Sequence, residues 1–245
     1  MFYFKDETTS TNDDAREQIY THGDVICAER QSAGRGQRGN KWISGEGKNI
    51  TFSVVLEPSF LKANEQFLVS QITALALIDT MSEYGITATI KWTNDIYVGE
   101  HKIVGVLIEN RLSGTTLSRA IIGVGININQ REFDPSLPNP TSMILERANN
   151  EEIPRREVLE TFYASLMRWY KELMTGDYAS IDKAYHAKMY RRGEYHNYRL
   201  ADGCLIRGVI QGVRPSGALV IMHDNDEERE YQFKEVEFVI EQRGR

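Results

Sequence analysis

Four short segments hold most of the side chains that could do chemistry. Gly34-Arg35-Gly36-Gln37-Arg38-Gly39 spells G-x-G-x-x-G, with two guanidiniums set among glycines. Glycines let backbone N–H groups approach a ligand closely, and guanidiniums bind phosphate or carboxylate in bidentate fashion. Lys91-Trp92-Thr93-Asn94-Asp95 is followed at a strand's distance by Lys102-Ile103-Val104-Gly105, which can bring a lysine beside a carboxylate across a hairpin. Gly123-Val124-Gly125-Ile126-Asn127 puts two glycines inside an apolar strand, where they mark close approach of a ligand or another backbone. Thr9-Ser10-Thr11-Asn12 offers hydroxyls and an amide to a polar ring. Each segment has a plainer alternative: a solvated surface loop, an Asn-Asp turn, a β-bulge and a helix cap, respectively.

The elements that must position these residues follow from periodicity. Thr9–Asn12 precedes DDAREQIYTHG, read as a capped short helix ending before Gly23, and DVICAER is a strand. After the glycine-rich segment, NKWISGEGKNITFSVVLEP ends in a strand rather than a helix. A dinucleotide loop needs a helix to open at its third glycine, so that reading fails here. Residues 62–84 repeat Phe67, Leu68, Ile72, Leu75, Ile78 and Met81 at helical steps, predicting an amphipathic helix. TATIKW and DIYVGEHKIVGVLIENRL read as strands with a tight turn at Gly99-Glu100, and LSRAIIGVGINI follows Ser113-Gly114-Thr115. Strands joined by short turns imply an antiparallel or mixed sheet.

QREFDPSLPNPTSM holds three of the six prolines and is a long loop. Pro154 opens a helix through Met174 with Val158, Phe162, Leu166, Trp169 and Leu173 on its core face, and YASIDKAYHAKMY is a second helix. From Asn197 five short strands alternate with turns, predicting a small β-barrel. The fold class is therefore α+β, a mainly antiparallel mixed sheet with helices on one side, divided as residues 1–192 and 193–245.

Composition narrows the function. The chain has 245 residues, is 41% hydrophobic and 26% charged, and carries a net charge of −6, which argues against a general nucleic-acid binder. Cys27 and Cys204 form no C-x-x-C, and the five histidines show no paired metal-ligand spacing. The first residues lack a basic flank and a long apolar core, so no secretory signal is expected, and no apolar run approaches a bilayer span. The expectation is a cytoplasmic globular protein without a membrane or nucleic-acid partner.

Taken in order, STN, QSAGRGQRGNKW, KWTNDIYV, HKIVGVLIEN, IGVGININ and the C-terminal strands resemble the biotin–protein ligases, over nearly the whole chain. That resemblance implies a catalytic fold of the biotin–lipoate ligase and class II aminoacyl-tRNA synthetase type. It also implies two steps: biotin and ATP give biotinyl-5′-adenylate, then a lysine of a carboxylase's biotin carboxyl carrier domain takes the biotinyl group. Some members carry an N-terminal DNA-binding module; this chain starts at the catalytic domain and is not expected to act on DNA. The implied cations are Arg35, Arg38, Lys91 and Lys102, with Mg²⁺ held largely by phosphates and water. Lys102 would bridge carboxylate and α-phosphate.

By the same resemblance Ser10, Thr11, Asn12 and Gln31 match the site for biotin's head, and Gly34 is a further biotin-binding position. Trp42, Gly105, Gly123 and Gly125 fit its apolar body and valeryl chain, while Asn94 and Asn127 match nucleotide-side positions. Asp95 is left with three roles open: orienting Lys102, positioning magnesium, or accepting a proton. The loop is implied to fold over the adenylate and exclude water. Two positions depart from the family pattern: Gln37 stands where a second arginine is usual, and Thr93 where proline is usual. The alternatives are a lipoate–protein ligase and a non-enzymatic biotin-sensing or partner-binding module. A homodimer through exposed strand edges is a further expectation.

Overall fold

A computed structural model describes residues 1–37, 42, 44–149 and 151–240. Its main sheet has seven strands: β1 (Phe2–Thr8), β2 (Val25–Gln31), β3 (Ile50–Leu56), β4 (Thr89–Lys91), β5 (Asp95–Val98), β6 (His101–Ser113) and β7 (Thr116–Ile126). They lie in the order β1-β2-β3-β7-β6-β5-β4. Only β1 and β2 run parallel; every other pairing is antiparallel. Gly99 takes a left-handed φ of 54° at the β5–β6 turn, as the Gly99-Glu100 reading requires.

The sheet has two chemically different faces because side chains alternate along a strand. On β3, Phe52, Val54 and Leu56 join the large core, and Phe52 packs 5.3 Å from Phe162 of helix α4 (Arg155–Met174). Thr51, Ser53 and Val55 point to the opposite face, where Val55 meets Ile26, Ile121 and Ala15. That second face carries the polar residues and is only partly covered, by the single-turn helix α1 (Thr11–Asp14).

Helix α2 (Phe67–Glu83) differs from its expected amphipathic form: eleven of its seventeen residues are buried. It lies between the sheet and α4 and α5 (Tyr178–Ala187), so it has no solvent-facing stripe to keep polar. Between α2 and α4 along the chain comes α3 (Met143–Glu146). On α4 the buried positions include Val158, Phe162, Leu166 and Leu173, as predicted, but Tyr170 replaces Trp169. Trp169 sits half-buried at the edge, where its Nε1 donates to Asp79 Oδ2 at 2.7 Å.

The C-terminal strands are β8 (Tyr195–Leu200), β9 (Leu205–Val213), β10 (Leu219–His223), β11 (Glu228–Tyr231) and β12 (Val236–Phe238). They form an antiparallel sheet in the order β11-β10-β9-β8-β12. The expected barrel is therefore an open sheet, since β11 and β12 are opposite edges with no ladder between them. This sheet contacts the larger, N-terminal part through Trp92, whose Nε1 donates to the Gly217 carbonyl at 2.9 Å. No helix among the described residues is long and apolar enough to cross a membrane.

Candidate active site

A cleft of about 170 Å³, open to solvent at its mouth, lies on the polar face of the main sheet. Its floor is glycine. Gly105 of β6 and Gly125 of β7 are cross-strand partners, and the Trp42 indole lies over both. A methyl on Gly105 would come within 2.8 Å of Trp42 Cζ3, and one on Gly125 would overlap the indole. Gly123 likewise makes room for Asn12. The glycines thus admit the chain's own Trp42 and Asn12 against the sheet, a more specific use than simply clearing space for a ligand's apolar body.

One end of the cleft is a closed polar network. Gln31 Oε1 accepts from both the Thr11 backbone N–H (2.8 Å) and the Thr11 hydroxyl (3.2 Å). Ser53 Oγ lies 2.8 Å from Thr11 Oγ1 and donates to Asn12 Oδ1 at 2.6 Å. Asn12 Nδ2 donates to Glu109 Oε2 at 2.9 Å and lies 3.3 Å from the Leu107 carbonyl. This explains why α1 is one turn rather than the longer capped helix predicted. The Ser10 side chain caps nothing, and Thr11 and Asn12 are committed to tertiary partners instead.

The other end holds the charge. Lys102 Nζ sits 2.7 Å from Asp95 Oδ1 and 5.9 Å from the Trp42 ring centroid. Both groups come from the β5–β6 hairpin, where Asp95 pairs in register with Gly105. Asn94 donates its amide to the Val106 carbonyl. The Trp92–Thr93 peptide bond is cis. Arg35 also lines the cleft, and its Nη2 is held by Asp13 Oδ1 (2.7 Å) and Glu109 Oε2 (3.3 Å). Trp42 Nε1 is buried without a hydrogen-bond partner among the described residues. An orphaned indole N–H is a donor awaiting an acceptor.

Residues 1–127 match the biotin/lipoate A/B protein ligase family model. The biotin–[acetyl-CoA-carboxylase] ligase of Paracoccus denitrificans is 30% identical over 205 residues, covering 80% of this chain and 82% of that protein. The chain belongs to this ligase family. A bifunctional ligase/repressor of Bacillus spizizenii is 28% identical over 224 residues, covering 89% of this chain and 68% of that one. Among solved structures, the Aquifex aeolicus biotin protein ligase in complex with biotin and ATP superposes with a TM-score of 0.80 at 26% identity, covering 96% and 97% of the two chains.

The ligase fold gathers Ser10, Thr11, Asn12, Gln31, Arg35, Trp42, Asn94, Asp95, Lys102, Gly105, Gly123 and Gly125 around one cleft. Gly34 is adjacent rather than lining, with its carbonyl accepting from Trp42 N at 3.0 Å. Asn127 is not at the cleft. Its amide donates to the Thr141 carbonyl at 2.9 Å and its backbone N–H to Ile103, so it ties the proline-rich loop to β6. Arg38 lies outside the described residues. Ser53, Thr51, Glu109 and Phe233 belong to the site or its support and escaped the sequence reading. Thr51 and Ser53 had a signal: polar residues at alternate positions of an otherwise apolar strand. Glu109 and Phe233 had none.

Lys91 is the other displaced candidate. It faces Asp95 across β4–β5, but its Nζ lies 5.0 Å from the Tyr97 ring centroid and 4.8 Å from that of Phe238, against the C-terminal sheet. Burial lowers its pKa from 10.5, an effect that the Asp95 charge partly opposes. Lys91→Met is accordingly expected to cost less than about tenfold in turnover, since the ammonium packs between the Tyr97 and Phe238 rings and Lys91 is not among the residues lining the cleft. Its pH signature has a definite sign. Between the lowered folded pKa and 10.5, the unfolded chain binds more protons, so wild-type stability rises with pH there. Denaturant titrations across that window should show wild type gaining on Lys91→Met as pH rises, and a flat difference would contradict it.

Proposed function

We infer that this chain is a biotin–protein ligase. It joins biotin to ATP as biotinyl-5′-adenylate and transfers the biotinyl group to a lysine of a biotin carboxyl carrier domain. The observation that carries this reading is the cleft's polarity: a hydrogen-bonding end lined by the uncharged Ser10, Thr11, Asn12 and Gln31, and a Lys102–Asp95 end, joined by a glycine floor. A ureido ring needs donors and acceptors without net charge, which the Thr11–Gln31–Ser53–Asn12 end supplies. A carboxylate and an α-phosphate need fixed positive charge, which Lys102 and Arg35 supply.

In the first step a biotin carboxylate oxygen attacks the α-phosphorus and pyrophosphate leaves. Two anions must meet, so Lys102 is assigned to bridge them, with Asp95 holding its ammonium in place. Arg35 is assigned to leave Asp13 and Glu109 for the incoming phosphate, and the orphaned Trp42 Nε1 to donate to a ligand oxygen. In the second step the acceptor amine attacks the acyl carbon, AMP leaves with the bonding pair, and the amine loses a proton. ATP enters as its magnesium complex. Asp95 is the one carboxylate among the described residues that lines the cleft. No three His, Cys, Asp or Glu gather into a metal site among them.

The test is transfer. Purified protein, ATP and labelled biotin should label one lysine of a purified carrier domain, and biotin should drive ATP–pyrophosphate exchange. Exchange with lipoate but not biotin would overturn the substrate assignment. Binding of biotin without any exchange would favour a sensing module instead.

A further inference from the structure

A chain of side-chain hydrogen bonds crosses from β6 to the glycine-rich segment, and its polarity can be worked out atom by atom. Asn94 Nδ2 donates to the Val106 carbonyl, which leaves its Oδ1 as acceptor for the Thr93 hydroxyl at 2.7 Å. A hydroxyl carries one proton and two acceptor sites. With that proton committed to Asn94, the Gln37 amide, whose oxygen lies 3.2 Å from Thr93 Oγ1, satisfies the network only when turned to present Nε2. The two ends of an amide have the same shape, so the network decides the orientation.

We propose that Thr93 is a positioning residue for adenylate formation and retention, acting by fastening Gln37 to the β4–β5 turn through this relay. Gln37 and Asn94 line the cleft, whereas Thr93 does not. The segment from Arg35 to Gln37 is therefore pinned on both sides. Arg35 is held by Asp13 and Glu109, and Gln37 is held by Thr93. The second anchor leads directly to the reactive pair, because Val106 follows Gly105, the register partner of Asp95. Loss of the Thr93 hydroxyl frees one end of this strap without removing any group that touches substrate. The proposal rests on the reading of the cleft as an adenylate site.

Thr93→Val is the near-isosteric test, Gln37→Met removes the amide, and Thr93→Ser keeps the hydroxyl. In the ligand-free protein, the Gln37 side-chain NH₂ resonances should shift in Thr93→Val and return in Thr93→Ser. Dissociation of preformed biotinyl-5′-adenylate should accelerate by roughly 2- to 12-fold in Thr93→Val and in Gln37→Met, the range for one hydrogen bond. The double variant should be no faster than either single one, while the affinity of Thr93→Val for biotin alone stays unchanged. Unmoved Gln37 resonances, or effects that multiply in the double variant, would overturn the relay. A wild-type protein inactive with biotin would instead overturn the functional reading, and the amide spectra would still decide the relay.

Discussion

Lys102→Ala should abolish biotin-dependent ATP–pyrophosphate exchange, lowering its rate by at least 10²- to 10³-fold, the usual loss when one preorganised charge contact to a transition state is removed. The variant should stay folded. Lys102 contributes to the fold through its backbone: its N–H donates to Asn139 at 2.8 Å and its carbonyl accepts from Thr141 at 2.9 Å. Neither contact needs the side chain, which is 33% exposed. Asp95 loses its ion-pair partner but keeps some contact with water, so the stability cost is small beside the catalytic one. Lys102→Arg should not restore the rate, because a planar fork replaces a compact ammonium in a slot set between Asp95 and Trp42. Exchange within a few-fold of wild type in the alanine variant would show that the two anions are brought together elsewhere.

What could be read from residues alone divides along a physical line. Alternation and turn chemistry are local, so β3, the β5–β6 hairpin and the β6–β7 hairpin were legible, and with them the meeting of Asp95 and Lys102 across a turn. Partners far apart in the chain were not. Nothing near Glu109 announces that it receives Asn12, Arg16 and Arg35. Nothing near Lys91 reveals that Tyr97 and Phe238 flank its ammonium, or near Asn127 that its amide serves Thr141. Helix α2 read as amphipathic because Phe67, Leu68, Ile72, Leu75, Ile78 and Met81 are spaced that way along it, whereas burial on all sides depends on α4 and α5. The C-terminal strands were legible one by one, but closure of a barrel is a property of edges that only the assembled sheet has. The two departures from the family pattern, Gln37 and Thr93, looked independent until the fold set them 3.2 Å apart.

Gly123→Ala should damage substrate binding far more than its single methyl suggests. The strand itself tolerates alanine, since Gly123 has ordinary extended partners in Ser53 on β3 and Leu107 on β6. The difficulty is above the sheet. The new methyl would overlap Asn12 Oδ1 and lie 2.9 Å from Asn12 Cγ. Asn12 is 3% exposed and cannot yield cheaply, because Ser53 holds its oxygen at 2.6 Å and Glu109 holds its nitrogen at 2.9 Å. To make room, α1 must lift, and Thr11 then leaves Gln31, so one methyl disturbs the whole neutral end of the cleft. Overpacking of this kind costs ~1–3 kcal/mol, so biotin affinity measured calorimetrically without ATP should fall by about 5- to 150-fold. Gly125→Ala makes a useful contrast. Its methyl meets Trp42, a side chain from a loop rather than a helix, which can swing aside; the loss should appear mainly in the adenylation rate, with biotin affinity better preserved. Because the two glycines are two residues apart on one strand face, opposite responses would map the head and the reactive end of the substrate onto the sheet directly. An unchanged biotin affinity in Gly123→Ala would place the head of the acid away from Asn12.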